Sequence, residues 1–158
     1  MAIEHFSRIT AEVAVGRCPR ARERAWLAEQ GLTAVVSLQS DADLAQLDLP
    51  WSEALTDYAA LGIDATRVPV VDFDRLDLGR NLDAAVAAIQ AQVAAGRAVY
   101  VHCNAGLNRS PSAVIAWLVA HRGMTLTEAW ETVCTAHDSA PYQDVMIRWV
   151  RERGLRLR

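Results

Sequence analysis

At 158 residues the chain has the size of one ordinary domain, so a single core is expected rather than two. Hydrophobic residues at 52% and charged residues at 22% exclude a disordered chain, and a net charge of −3 argues against a dedicated nucleic-acid binder. No apolar run approaches the roughly 18–20 residues of a membrane span, and the stretch from Met1 to Phe6 lacks the basic and apolar regions of a signal peptide. The expectation is a cytoplasmic protein with no membrane partner.

Three cysteines, Cys18, Cys103 and Cys134, are too few and too scattered for a disulfide framework or a zinc site. All 16 basic residues are arginine. With the abundant alanine this reads as GC-rich, bacterial coding, and it removes lysine nucleophiles and Schiff bases from the candidate chemistry.

In chain order, Ile9 to Val15, bounded by Gly16, predicts an edge hairpin. Arg20 to Gln30 predicts a helix capped by Gly31. Leu32 to Leu38 is a continuous apolar run of the kind that forms a buried strand. Trp51 to Leu61 predicts a helix ending at Gly62, and Ile63 to Val71 a strand running into an Asp-rich loop. Leu82, Val86, Ile89 and Val93 recur at helical spacing, and Gly96 closes that helix. Ala98 to His102 is a strand, and Ser110 to His121, apolar on nearly every face, a buried central helix. Two more helices are expected over Thr127 to Ala136 and Tyr142 to Arg153. Strands alternating with helices imply an α/β sandwich with a mostly parallel central sheet flanked by helices. The five tryptophans fall within helical patterns and are read as packing residues. Arg148, Arg151, Arg153, Arg156 and Arg158 make a basic C-terminus, read as a solvated face.

The chemistry lies between the strand ending at His102 and the buried helix, in Cys103-Asn-Ala-Gly-Leu-Asn-Arg109-Ser110. A loop between a strand and a helix N-terminus turns backbone N–H groups into one concavity, and the helix dipole adds positive potential. Gly106 permits the tight path. Arg109 carries a fork that matches two phosphate oxygens. Cys103 sits in that field, which favours the thiolate. A thiolate in a phosphate cradle is equipped to attack phosphorus. The candidate phosphate-binding set is Asn104, Ala105, Gly106, Leu107, Asn108 and Arg109, with no metal and no cofactor.

This segment resembles the signature loop of cysteine-dependent phosphatases of the dual-specificity class, and the likeness extends over nearly the whole chain. The resemblance implies a dual-specificity phosphatase-like sandwich in one domain over 1–158. It implies a phosphocysteine intermediate on Cys103, phosphate binding by Arg109, and assistance from the Ser110 hydroxyl when the intermediate breaks down. His102 is expected to hold the loop by hydrogen bonds. The class places a general-acid aspartate about thirty residues upstream. Asp72, 31 residues before Cys103 and directly after the strand, fits better than Asp74, 29 before, which remains the alternative. Asp77 is read as a cap. The stretches Ser37 to Leu44 and Asp72 to Leu78 further resemble the glucan phosphatase, laforin-like branch, in which Phe73 is available to stack on a sugar or a tyrosine ring. The implied partner is a phosphorylated protein or a phosphoglucan, handled by a monomer. The competing reading is a phosphate-binding interaction module without turnover.

Overall fold

The computed structural model describes residues 2–158. Five strands form one sheet in the order β1-β2-β5-β3-β4. They are β1 Phe6–Arg8, β2 Val13–Gly16, β3 Ala34–Ser37, β4 Asp64–Arg67 and β5 Val99–His102. β1 runs antiparallel to β2, and every other pairing is parallel. The helices are α1 Arg24–Glu29, α2 Asp41–Leu47, α3 Trp51–Ala60, α4 Arg75–Ala94, α5 Arg109–His121, α6 Leu126–Ala136 and α7 Gln143–Glu152.

Side chains alternate across the sheet, and both faces are buried. Val13, Val15, Ala34, Val36, Val99 and Val101 pack with α4, α5, α6 and α7 in one core. Ala14, Val35 and Tyr100 point the other way, against Leu27 of α1 and Ala54 and Tyr58 of α3. Strands buried on both sides favour apolar residues, which is why β3 and β5 read as apolar up to their last residues, Ser37 and His102, where the sheet meets the loops at its carboxyl end. Helix α5 lies inside the larger core, with Ala113 through Leu118 at 0% exposure.

Three expectations need correction, and one helix was missed. The hairpin exists, but only β1 lies at the edge; β2 is an interior strand paired with β5. The segment from Arg20 to Gln30 is a 3₁₀ turn, Ala21–Glu23, followed by α1. β4 ends at Arg67; Val68 and Val70 still donate to the Ser37 and Leu38 carbonyls, but Pro69 has no N–H to continue the ladder. Helix α2 was not expected. It is a single short element set by a capping box in which Ser40 accepts from the Asp43 N–H and Asp43 accepts from the Ser40 N–H.

Candidate active site

β5 is the central strand, and its carboxyl end delivers the chain into the loop 103–108 and then into α5. In an open parallel sheet this is where ligands bind. Gly106 has φ of +74°, and a Cβ there would meet the Gly16 carbonyl carbon at 2.5 Å and the Arg17 nitrogen at 2.7 Å. Glycine is therefore required both by conformation and by the closeness of the β2 end.

Cys103 is 3% exposed, with its Sγ 3.3 Å from the Ser110 hydroxyl. Ser110 is fully buried and also reaches the Gly16 carbonyl. Arg109, 2% exposed, is held from three sides. Its Nη1 donates to Asp43 Oδ2 at 2.6 Å and to the Val70 carbonyl at 2.8 Å, while Nη2 lies 3.1 Å from Asp72 Oδ2. Its Nε is buried with no partner among the described residues. A guanidinium held through Nη1, with an unpartnered Nε and with Nη2 beside an exchangeable carboxylate, can turn a two-donor edge to the oxygens of an anion.

Asp43 is the functional residue that sequence reasoning missed. Burial pushes its carboxyl up, but the Arg109 hydrogen bond, the Ser40 N–H and the Arg109 charge outweigh that and hold it below the usual carboxylate range. Its second oxygen accepts from Asn104 Nδ2 at 3.0 Å, and Gln39 Nε2 donates to Asn104 Oδ1 at 2.8 Å. The Asn104 side chain thus braces the loop from behind, leaving only its backbone for an anion. Asn108 is the N-cap residue of α5, and its Oδ1 accepts from the Ser112 hydroxyl and the Tyr142 N–H.

The two candidate acids part company. Asp74 is the N-cap of α4 and accepts from the Asp77 N–H at 2.9 Å. Asp77 in turn accepts from the Val71 N–H at 2.7 Å. Asp72 instead lines a cleft of about 230 Å³ together with Cys103, Ala105, Leu107 and Arg109. Phe73, Ala140 and Tyr142 form its outer wall. Phe73 is 84% exposed at φ of +60°, a left-handed conformation unusual for an aromatic residue. Arg75 stacks on the Tyr142 ring, 3.9 Å from its centroid, and pairs with Asp144.

His102 is buried, and its Nδ1 donates to the Cys103 carbonyl at 3.0 Å. Burial pushes its ring down to about 4, with the nearby arginines acting in the same direction and the Cys103 carbonyl against it. The folded value lies below the unfolded one, so this histidine's contribution to stability is complete above pH 6.5. It is lost as pH falls through about 4, and amounts to about 3 kcal/mol. Chemical denaturation at pH 7 and pH 4 should show that loss in the wild type. The His102→Asn variant should show a pH dependence flatter by about one proton; an equal slope in both would contradict it.

Cys18 donates its N–H to the Asn104 carbonyl. Burial raises its thiol to about 11, so it stays protonated at neutral pH. All three cysteines are free. Among the described residues no helix is long and apolar enough to cross a membrane.

A family model described as the dual specificity phosphatase catalytic domain matches residues 13–152. Laforin from Mus musculus is 33% identical over 72% of this chain and 38% of its own length. Dual specificity phosphatase 28 from Homo sapiens is 40% identical over 51% of this chain and 46% of its own. The chain thus spans less than half the length of these two curated relatives. Among solved structures, Tk-PTP in its active form superposes with a TM-score of 0.77 at 29% identity, covering 94% of this chain and 95% of the other. Human DUSP28 gives 0.76 at 26% identity, with 97% of each chain covered.

Proposed function

The chain belongs to the dual specificity phosphatase family; from that premise we propose that it is a phosphatase, and that residues 1–158 form one catalytic domain that hydrolyses phosphomonoesters through a phosphocysteine intermediate. The Cys103 thiolate attacks phosphorus as the ester oxygen departs, and Asp72 gives that oxygen its proton. Arg109 and the inward N–H groups of residues 104–109 hold the equatorial oxygens, where charge accumulates. Water then attacks the phosphocysteine with Asp72 taking its proton, and the sulfur leaves as thiolate, helped by the Ser110 hydroxyl. The observation that carries this reading is the convergence of Arg109, with its unpartnered Nε, Asp72 and Cys103 on one cleft. It is tested by acid-quenching turnover of p-nitrophenyl phosphate: a phosphate mass on the Cys103 peptide supports the reading, and turnover with no such adduct overturns it.

The walls of the cleft favour a phosphoprotein with an aromatic phosphoester over a phosphorylated carbohydrate. Phe73 and Leu107 are large exposed apolar side chains at the mouth, and Val71 and Leu76 flank Phe73 in sequence. A sugar needs hydrogen-bonding partners there, whereas a tyrosine ring needs apolar area. Phe73→Ala should raise KM for phosphotyrosyl peptides about tenfold with kcat nearly unchanged, because the ring is held equally in ground and transition states. A kcat/KM panel of phosphotyrosyl, phosphoseryl, phosphoglucan and phosphoinositide substrates decides the class. Three free cysteines, one of them the nucleophile, fit a reducing compartment such as a bacterial cytoplasm.

A further inference from the structure

A loop that turns its N–H groups inward to an anion must turn its carbonyls outward, and each buried carbonyl needs a donor. Here the donors, the adjacent His102 apart, come from distant parts of the chain. The Cys103 carbonyl accepts from His102, the Asn104 carbonyl from the Cys18 N–H, and the Leu107 carbonyl from the Ala140 N–H. The two carbonyls between them are held by imidazoles. Ala105 O accepts from His5 Nδ1 at 2.9 Å, and Gly106 O from His137 Nε2 at 2.8 Å.

Those two bonds act on the two peptide planes that flank Gly106. In a trans peptide the N–H points opposite to the carbonyl. Holding the Ala105 carbonyl outward therefore aims the Gly106 N–H inward, and holding the Gly106 carbonyl does the same for the Leu107 N–H. Glycine is the residue least able to hold such an orientation unaided.

The imidazoles are themselves fixed. Their rings stack with centroids 3.9 Å apart, 13° from parallel. His137 is 1% exposed, and its Nδ1 accepts from the Ser7 hydroxyl at 2.7 Å, which leaves the proton on Nε2. His5 adopts φ of +56° and faces a second carbonyl, that of Asp138, from Nε2 at 2.7 Å, so it donates to both carbonyls only with an N–H on each ring nitrogen. The pair ties together the segment before β1, the loop after β5 and the end of α6.

We propose that His5 and His137 are positioning residues, a stacked clamp that holds the peptides on either side of Gly106 with their N–H groups turned into the phosphate site. The inference rests on the reading of residues 103–110 as a phosphate loop. Neither histidine is placed to touch substrate; each acts through the backbone it holds.

The test uses the full chain and tungstate, an unreactive tetrahedral oxyanion, as probe. His137→Leu removes the donor at similar size, while His137→Gln keeps an N–H donor where Nε2 stood. His137→Leu should lose on the order of 10–100-fold in tungstate affinity and in the rate of Cys103 alkylation by iodoacetamide at pH 6. His137→Gln should recover most of both. Unchanged tungstate affinity and alkylation in a folded His137→Leu, with only the melting temperature lowered, would mean a purely structural role and overturn the proposal. If His137→Leu does not fold, the same comparison is made between His5→Ala and His5→Asn, since asparagine tolerates the left-handed backbone and places a donor where Nδ1 stood. A Cys103→Ser control separates the two claims. Full turnover in that control would sink the nucleophile reading, while tungstate binding would still decide the clamp.

Discussion

Cys103→Ser is expected to abolish turnover, by on the order of 10⁴-fold or more, while keeping or tightening the binding of tungstate. The two halves of that result have separate causes. A serine hydroxyl is almost wholly protonated at neutral pH, and the group hydrogen-bonded to the Cys103 sulfur is another hydroxyl, Ser110 at 3.3 Å, which is no base. Nothing at the site therefore replaces the thiolate. Binding depends instead on the loop N–H groups and on Arg109, whose other contacts run to Asp43 and the Val70 carbonyl and are untouched by the substitution. Removing a negative sulfur from beside an oxyanion also removes a repulsion. The measurement pairs p-nitrophenyl phosphate turnover with calorimetry of tungstate. Residual activity above a tenth of wild type would show that another group carries the attack, and loss of tungstate binding would show that the sulfur itself builds the cradle.

What could be read from the sequence divides by the range of the interaction that fixes it. Helix α4 and strands β3 and β5 were legible because each carries its own signal over most of its length, a helical period from Leu82 to Val93 or a run of apolar residues. Gly31, Gly62 and Gly96 all adopt the positive φ that a glycine at a helix end suggests. The tight turn between β5 and α5 was legible for the same reason: its cysteine, glycine and arginine, the candidate site residues, lie within a few positions of each other. Helix α2 was not, since seven residues are too short for a period, and its one local signal is the Ser40–Asp43 capping box. Asp43 meets Arg109 across 66 positions, and no local pattern announces that pairing. Yet it has a physical necessity. A guanidinium buried to 2% exposure is stable only with a carboxylate beside it. His5 and His137 stand in no local pattern, and the partners of their rings include backbone carbonyls, which a sequence does not display. Asp74 carried the opposite lesson. It, and not Asp77 as expected, caps α4, and that local contact separates it from Asp72.

That separation sets the second large effect. Asp72→Asn should slow alkyl phosphates, such as phosphoserine peptides, on the order of 10²–10⁴-fold, and p-nitrophenyl phosphate clearly less. An alkoxide leaves reluctantly and needs its proton in the transition state; p-nitrophenolate leaves well without one. The geometry adds a further expectation. Asp72 Oδ2 lies 3.1 Å from Arg109 Nη2, so in the free enzyme it shares the guanidinium with any arriving phosphate. Asparagine offers that donor a weaker acceptor than a carboxylate, so Arg109 is at least as available to the phosphate, and KM should stay constant or fall while kcat drops. That combination is not produced by a loss of substrate binding. The variant should also lose the falling alkaline limb of kcat/KM against pH wherever that limb reports the acid. Asp74→Asn should behave otherwise. Asparagine caps a helix about as well as aspartate, so α4 keeps its N-terminus and the loss should be small and the same for every leaving group. The deciding measurement is the slope of log kcat/KM against leaving-group pKa for both variants. A steepened slope in Asp74→Asn alone would move the acid two residues along the chain. An unchanged slope in both would mean that the proton reaches the leaving oxygen from water or from the substrate itself.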